Sequence, residues 1–229
     1  KTKAESNIKK PIAKNEKEQS NGVQKKRLEI LKTYKIYIGG KFPRTESGRY
    51  YSPENAAKEK LANVCLSSRK DFREAVVAAR NAQGDWGGRA AFNRGQILYR
   101  IAEMLEGRKA QFIDELMKQD STKADAENEV LLSIDRLIYY AGWCDKFQQL
   151  YSAVNPVASS HFNFSVPEPT GVVSIIAPQN NSLLGWVSVI APGMAGGNTW
   201  FVLASFSKPL CPVHFGDVLN FSDVAGGWW

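Results

Sequence analysis

The sequence predicts an α/β fold in which two parallel strands are joined by a crossover helix. Residues 171–177 form a short β-branched apolar run, typical of a strand covered on both faces. Residues 183–195 are a longer apolar segment with small side chains, typical of a packed helix, and residues 199–204 are a second apolar strand. Because a strand–helix–strand unit is nearly always right-handed, these strands should lie side by side and parallel.

The polar segments around this unit indicate where its helix ends and where a ligand could bind. Residues 178–182 (PQNNS) have turn chemistry, and residues 196–198 (GGN) are a helix stop signal. Pro192 should bend or end the helix before that signal. Ligands of open parallel sheets bind beyond the carboxyl ends of the strands, which predicts a site at residues 178–182 and at Ser205 and Phe206.

The region before this unit is predicted to form a hairpin followed by helices. Residues 34–38 and 49–51 are expected to pair as the two strands of one hairpin. Residues 61–66 are another apolar strand. Ser67 and Ser68 supply an N-cap, and glycines between residues 84 and 88 should end the helix that follows. The expected helices cover residues 69–83, 92–106, 109–119 and, as the longest signal, 121–150.

Two cysteines fall in apolar patterns, and two weaker elements flank the central unit. Cys144 lies in the apolar stripe of the longest helix and Cys65 in a strand, so both are interpreted as core residues rather than nucleophiles.

In residues 161–166, polar and apolar side chains alternate, which predicts an edge strand. Residues 211–220 predict a short helix.

The net charge of +7 is concentrated at one end of the chain. Residues 1–33 hold ten Lys or Arg and four Asp or Glu, a net +6, which leaves the remainder close to neutral. A basic segment poor in aromatics is most simply a disordered tail or linker. It could instead be an arm that binds an acidic partner, but nucleic acid is disfavoured because no recognised fold or aromatic platform accompanies it.

Sparse cysteines and histidines exclude several classes of protein. Three cysteines without C-x-x-C spacing argue against a disulfide framework and for a reducing compartment, which favours the cytoplasm. His161 and His214 have no metal-ligand spacing, so no metal is expected and both are interpreted as surface or edge residues. No apolar run is long enough to span a bilayer, and no secretory signal is present.

The central unit resembles the NAD(P)-dependent aldehyde dehydrogenase superfamily. The segments EPTGVVSIIAPQN and GGNTWFVLAS are similar to that family's first βαβ unit, with its EPxGVV strand, Pro-Trp-Asn loop and GNTVV strand ending in Lys-Pro-Ser-Glu. YKIYIGGKF and AVVAARNAQGDW resemble its amino-terminal hairpin and first helix. The resemblance implies a truncated Rossmann-like parallel sheet, with residues 34–229 as an incomplete cofactor-domain portion and residues 1–33 as a tail or linker.

The resemblance also implies a set of site residues. In the family a thiolate attacks the aldehyde, hydride passes to the nicotinamide, and a base activates the hydrolytic water. Asn180 matches the asparagine that stabilises the developing oxyanion, although it could equally satisfy only the strand-to-helix turn. The residues expected to flank a nucleotide are Ala177, Pro178, Gln179, Asn180 and Ser205.

The chain departs from the family at the residues that contact the cofactor. Gln179 replaces a tryptophan, Leu203 replaces the lysine that contacts the ribose, and Phe206 replaces the acid that does the same. Losing both polar ribose partners predicts weak or absent NAD(P) binding. The family's nucleophile and base are expected beyond Trp229, and Cys211 does not match the nucleophile, so this chain itself should not oxidise an aldehyde.

Two functions are therefore predicted. The first is part of an NAD(P)-dependent aldehyde-oxidising protein. The alternative is a non-catalytic module of the same fold for assembly or scaffolding, such as the degenerate second module of a two-module member. Either one implies a homo-oligomer or packing against another aldehyde dehydrogenase module, with residues 161–166 in subunit contacts. A two-stranded sheet with an open edge should also make the isolated chain poorly soluble or dependent on a partner.

Overall fold

The computed structural model describes residues 30–222 and residue 224, which fall almost entirely in one compact unit, Leu31–Trp229. Most of the predicted basic tail lies outside the described residues. The helices are α1 Arg69–Gly88, α2 Ala91–Gly107, α3 Lys109–Lys118, α4 Lys123–Ala141, α5 Phe147–Tyr151, α6 Ser182–Ala195 and α7 Leu210–Asn220. The strands are β1 Thr33–Tyr34, β2 Tyr50–Tyr51, β3 Asn63–Cys65, β4 Ala153–Asn155, β5 Asn163–Ser165, β6 Val172–Ile176 and β7 Thr199–Leu203.

The predicted amino-terminal hairpin is wrong. β1 and β2 do not pair with each other but with opposite edges of β3, β1 in parallel and β2 in antiparallel orientation. The chain instead reverses locally at residues 38–41, where Ile38 and Lys41 exchange backbone hydrogen bonds of 3.0 and 3.1 Å. Gly39 and Gly40 both have positive φ, which is the conformation that a tight two-residue turn requires. The chain therefore reverses direction at residues 38–41, immediately after the first predicted strand.

Helix α1 begins as predicted but does not end at its glycines. The Ser68 side chain accepts from the N–H groups of Lys70 and Asp71, and the Asp71 carboxylate accepts from the Ser68 N–H, which completes a capping box. The helix then continues through Gly84 to Gly88. Trp86 explains the extension, because it is fully buried and its indole donates to the Met194 carbonyl at 3.2 Å. Tertiary burial outweighs the cost of glycine, about 1 kcal/mol for each helical position.

The helical layer packs around α4, which is shorter than the predicted helix over residues 121–150. It ends at Ala141, and a turn separates it from α5. Cys144 lies in this turn and is buried, which confirms its interpretation as a core residue. The apolar stripe predicted for this helix is only partly buried. Leu132 and Ile138 are more than two fifths exposed. The buried members are Val130, Ile134, Leu137, Ala141 and Cys144.

The central unit forms as predicted. β6 and β7 are parallel neighbours, in a register that runs from Val172–Thr199 to Ile176–Leu203. Pro192 does not end α6, which runs on to Ala195. Its last turn is held by burial, since Ala191 and Met194 are completely buried, and this outweighs the one backbone hydrogen bond that a proline inside a helix removes.

The segment predicted as an edge strand forms β5, which pairs antiparallel with β4. This two-stranded hairpin is highly exposed, with Val154, Phe162 and Phe164 each more than half accessible. Across the described residues, no helix is long and apolar enough to cross a membrane.

Candidate functional site

The candidate site lies where β6 and β7 end together. The Ala177 N–H donates to the Leu203 carbonyl at 2.9 Å, which extends the parallel pairing one residue past β6. Ala177 is buried, whereas the neighbouring side chains of Ile176 and Leu203 are 80% and 49% exposed. The loops that follow the two strands therefore start at the same edge of the sheet, as the carboxyl ends of parallel strands must.

The first loop is folded tightly onto the start of α6. A Cβ atom at Gly185 would lie 2.5 Å from Pro178 Cγ and 3.1 Å from the Asn180 carbonyl oxygen. Asn181 takes a left-handed conformation, with φ of 50°, to bring the chain into the helix. Gly185 is therefore the residue that lets the loop approach α6 this closely.

A carboxylate from another helix caps α6. Oε1 of Glu129, on α4, accepts from the N–H groups of Leu183 at 2.8 Å and Leu184 at 3.1 Å. The Asn181 side chain makes no cap hydrogen bond. A carboxylate at a helix N-terminus is stabilised by the helix dipole. These two donors of α6 are thus used by the protein itself and are not offered to a ligand phosphate.

Asn180 lies in the first loop, after β6. It is exposed, and its side-chain amide has no hydrogen-bond partner in the part of the chain that the structure describes. The alternative that Asn180 only satisfies the strand-to-helix turn thus has no hydrogen bond to support it. Gln179 and Pro178 are exposed beside it. The amide is free to meet a bound molecule.

Ser205, by contrast, is occupied by its own turn. It is buried, its hydroxyl lies 3.2 Å from that of Ser207, and it accepts from the Lys208 N–H at 3.3 Å. Of the five residues expected to flank a nucleotide, the four in the first loop are consecutive and Ser205 follows the adjacent strand. The structure brings the two segments to one edge but does not direct the serine hydroxyl outward.

The two replaced ribose positions present carbon surfaces. Leu203 is 49% exposed and Phe206 is 65% exposed, and the Phe206 ring stacks on Tyr51 with centroids 4.3 Å apart and planes at 9°. Both residues border a cavity of about 530 Å³ whose walls include Phe72 and Pro212. Ribose hydroxyls need hydrogen-bond partners, and these side chains supply none. At these two positions the side chains therefore do not fit the hydroxyls of a ribose.

Cys144 and Cys211 are buried and are not activated as nucleophiles. Burial raises the pKa of Cys144 to about 11, and burial, followed by the nearby charges of Glu115 and Glu129, raises the pKa of Cys211 well above its usual value. Both are thiols rather than thiolates at neutral pH. Cys65 is half-buried rather than a full core residue, and its Sγ lies 3.2 Å from the Tyr34 carbonyl.

A buried polar cluster around His214 was missed by the sequence analysis. His214 is 2% exposed, so its interpretation as a surface or edge residue is wrong. Its Nδ1 lies 2.5 Å from Oε1 of Glu115, and the Tyr34 hydroxyl donates to the same oxygen at 2.9 Å. Burial and the Glu115 carboxylate raise the pKa of Tyr34. His161, in contrast, is exposed as expected.

One signal for that cluster was available. His214 follows Leu210 by four residues and precedes Val218 by four, so helical spacing places it on the buried face of α7. Nothing in the sequence, however, connects it to Glu115, which lies 99 residues earlier. Among the described residues, no group of three His, Cys, Asp or Glu is arranged to hold a metal ion.

Relatives with curated descriptions resemble this chain over most of its length. Cytosolic 10-formyltetrahydrofolate dehydrogenase of Mus musculus is 31% identical over 212 residues, a match that covers 88% of this chain and 23% of that protein. An aldehyde dehydrogenase of Aspergillus niger is 29% identical over 196 residues, covering 84% of this chain and 39% of that protein. The chain thus spans less than two fifths of the length of either relative.

Solved structures show the same fold. The NAD⁺ complex of aldehyde dehydrogenase from Bacillus cereus superposes with a TM-score of 0.81 at 23% identity, covering 86% of this chain and 40% of that one. HpcC from Thermus thermophilus gives a TM-score of 0.82 at 24% identity, with 86% and 39% covered. The model of the aldehyde dehydrogenase family matches residues 42–225. The chain belongs to the aldehyde dehydrogenase family.

Proposed function

We propose that this chain is part of a protein that catalyses the NAD(P)-dependent oxidation of an aldehyde to a carboxylic acid, and that it contributes the first βαβ unit of the cofactor fold. The observation that carries the proposal is the parallel register of β6 and β7, which places the loops at residues 178–181 and 204–206 on one edge. The family match over residues 42–225 supports it. In this proposal the free amide of Asn180 is the group that would stabilise an oxyanion.

The described residues do not themselves supply the chemistry, and we propose that they hold NAD(P) weakly. Leu203 and Phe206 face solvent with carbon where the family places a lysine and an acid. The thiols of Cys144 and Cys211 are protonated and buried. In this proposal the described part of the chain contributes the exposed amide of Asn180, which would stabilise the developing oxyanion.

Titration of the full chain with NAD⁺ and NADP⁺ tests this function. The chain as it stands should show no saturation at micromolar nucleotide. The double variant Leu203→Lys/Phe206→Glu should bind at least about tenfold more tightly, because two charge-assisted hydrogen bonds to the ribose are regained. Leu203→Met/Phe206→Leu is the matched apolar control and should behave like the parent. Micromolar affinity in the parent chain would overturn the proposed weak binding, and no gain in the double variant would contradict the assigned position of the ribose.

A non-catalytic role in assembly is the second candidate, and the β4–β5 hairpin favours it. Phe162, Phe164 and Val154 expose large apolar side chains on the same short ribbon, and the two phenylalanine rings lie 5.5 Å apart. Exposed apolar patches of this kind are typical of protein interfaces. The proposed partner is a second copy of the chain or another aldehyde dehydrogenase module.

Sedimentation of Phe162→Ser/Phe164→Ser tests the assembly role. The double variant should shift the chain toward monomer, whereas Phe92→Ser, a change at a 69% exposed phenylalanine on α2, should leave its association unchanged. An unchanged association state in the hairpin variant would remove the assembly role for this ribbon.

Location and module type follow as finer proposals. All three cysteines are free, which is consistent with the proposed reducing, cytoplasmic location. Assignment to the degenerate second module of a two-module protein rests on the basic linker predicted at residues 1–33, ahead of the segment YKIYIGGKFPRTESGR, and would be decided by the flanking reading frame.

A further inference from the structure

The cavity bordered by Leu203 and Phe206 extends from the carboxyl end of β7 to the amino-terminal part of the described chain. Its volume is about 530 Å³, and its walls include residues of α1, β3, α6, β7 and α7. This volume lies within the range of pockets that hold small molecules. Residues 178–180 are not among its described lining residues, so the cavity is distinct from the position proposed for the Asn180 amide.

The walls of the cavity present carbon to solvent. Leu66, Phe72, Leu203 and Phe206 all border it, and each is at least 36% exposed. Phe201 forms a deeper part of the wall and is buried. A concave surface of exposed carbon favours an apolar ligand, because binding removes apolar surface of both partners from water.

The aromatic rings at the cavity do not form a slot for a planar ligand. The faces of Tyr51 and Phe206 already stack on each other, with centroids 4.3 Å apart. Phe72 and Phe201 meet edge to face, with centroids 4.9 Å apart and planes at 87°. Neither pair leaves two parallel faces between which a flat ring could lie. A flexible aliphatic chain can adapt to walls of this shape and make many short contacts with them.

The charged side chains at the cavity are unbalanced in favour of cations. Lys35 and Arg69 border it and are exposed, and neither forms an ion pair with any other described residue. Asp71 is the acidic residue among the described lining residues, but it is buried. Its carboxylate accepts from two backbone N–H groups and one hydroxyl of the chain itself. The free charge at the cavity is therefore positive and would attract an anionic group.

We propose that this cavity binds a monocarboxylate with an unbranched aliphatic chain of about ten carbons. The chain would lie against the exposed carbon of Leu66, Leu203 and Phe206, and the carboxylate would face Lys35 and Arg69. The proposal goes beyond the oxidation of aldehydes and does not depend on it, because binding uses neither the Asn180 amide nor a nucleotide. NAD(P) titration can therefore fail without affecting it.

Calorimetric titration of the full chain with sodium decanoate, at concentrations below micelle formation, tests the site. Decanoate should bind saturably, with one molecule per chain. Hexanoate should bind at least about tenfold more weakly, because four fewer methylene groups leave water. Decyltrimethylammonium has a chain of the same length with the opposite charge and should show no saturable binding.

A pair of double variants at exposed positions tests the role of the two cations. Lys35→Gln/Arg69→Gln should weaken decanoate binding about fivefold, as expected for two lost charges at a solvent-accessible rim. Lys41→Gln/Arg73→Gln is the matched control, since it removes two exposed cations that are not among the described lining residues. This control should bind decanoate like the parent.

The apolar wall is tested by Phe72→Ser, which should weaken decanoate binding about fivefold because the chain loses contact with a ring. Phe92→Ser changes an exposed phenylalanine on α2 that is not among the described lining residues and should bind like the parent. Equal affinity of the two double variants would overturn the proposal, as would equal binding of decanoate and decyltrimethylammonium or the absence of saturation by decanoate.

Discussion

The two ends of the βαβ unit are built differently. At the amino end of β7, the Thr199 N–H donates to Oε1 of Gln83 at 2.9 Å, and the Thr199 hydroxyl lies within hydrogen-bond distance of both Gln83 and the Ala79 carbonyl. Gln83 also donates to the Gly197 carbonyl at 3.1 Å. Helix α1 therefore holds this end of the sheet through a continuous polar network in which Thr199 is completely buried.

The carboxyl end has few such ties. Pro178, Gln179 and Asn180 are exposed, and the contacts from other elements include the Glu129 carboxylate at the start of α6 and the Tyr51 ring stacked on Phe206. Hydrogen bonds from other elements are thus concentrated at the amino end of the unit, whereas the loop at the carboxyl end exposes its polar side chains. Substitutions at the amino end should change the free energy of unfolding, whereas most substitutions in the loop should change only ligand contacts.

Gly185 is the exception at the open end and should show the largest effect. Gly185→Ala forces a methyl group to 2.5 Å from Pro178 Cγ and should lower the free energy of unfolding by about 3 kcal/mol. Gly193→Ala in the same helix meets only Trp200 Cδ1 at 3.8 Å and should be neutral or stabilising by up to about 1 kcal/mol. Urea unfolding measures both. Equal stability of the two variants would contradict the tight packing of the loop on α6.

Asp71 anchors the first turn of α1, beside the cavity that Leu203 and Phe206 also border. Its carboxylate accepts from the N–H groups of Ser68 at 2.6 Å and Glu46 at 3.0 Å, and from the Thr45 hydroxyl. Burial acts to raise the pKa of Asp71, but these hydrogen bonds outweigh it and the pKa is lowered. Asp71→Asn should cost about 2 kcal/mol at neutral pH, where the charged form is favoured in the folded state.

The pH dependence of that cost has a definite sign. A carboxyl group whose folded pKa is depressed stabilises the protein above its unfolded pKa, about 4, and loses that contribution as the pH falls through the folded value. The difference between the parent and Asp71→Asn should therefore shrink steadily below about pH 4. A difference that stays constant with pH would show that the charge on Asp71 is not what stabilises the helix start.

A direct comparison of the two ends uses Thr199 and Asn180. Thr199→Val keeps the side-chain volume but leaves the buried Ala79 carbonyl without its hydroxyl donor, and should cost about 1.5 kcal/mol. Asn180→Ala removes an exposed amide without a described partner and should change stability by less than about 0.5 kcal/mol. Thermal unfolding of both variants measures the contrast. A larger loss of stability in Asn180→Ala than in Thr199→Val would contradict the inferred difference between the two ends.

Glu129 should show the smallest measurable loss among the stabilising contacts. Glu129→Gln removes the charge that complements the dipole of α6 and should cost about 1 kcal/mol. Glu127→Gln, two residues earlier on α4, loses only an exposed ion pair with Lys123 at 3.9 Å and should cost close to nothing. Urea midpoints distinguish the two. Indistinguishable midpoints would mean that the carboxylate does not hold the open end in place.

The central unit could be predicted from sequence because its signals are local. The β-branched runs of β6 and β7, and the apolar helix between them, each indicate their own structure. Gly84 and Gly88 misled the prediction of α1, since the burial of Trp86 against Met194 depends on chain more than one hundred residues away. The early hairpin failed similarly, because β3 competes for both of the strands that were expected to pair.

The position of the loop after β6 could be predicted from the sequence, but its contacts could not. The PQNNS segment identifies the loop, yet no pattern in it reveals that Glu129 occupies the donors of α6, 54 residues away. The pairing of His214 with Glu115 was also invisible, because it depends on which distant groups the fold brings close. Local residue spacing predicts helices and strands, whereas the hydrogen-bond partners of a buried polar group depend on the folded structure.

Amide hydrogen exchange tests the difference between the two ends most directly. The Thr199 N–H, bonded to both Gln83 and the Gly171 carbonyl, and the Gly197 N–H should exchange slowly. The backbone N–H groups of Gln179 and Asn180, which have no acceptor among the described residues, should exchange at rates close to those of an unstructured peptide. Comparable protection of the Asn180 and Thr199 backbone N–H groups from exchange would contradict the inference that only the amino end of the βαβ unit is firmly held.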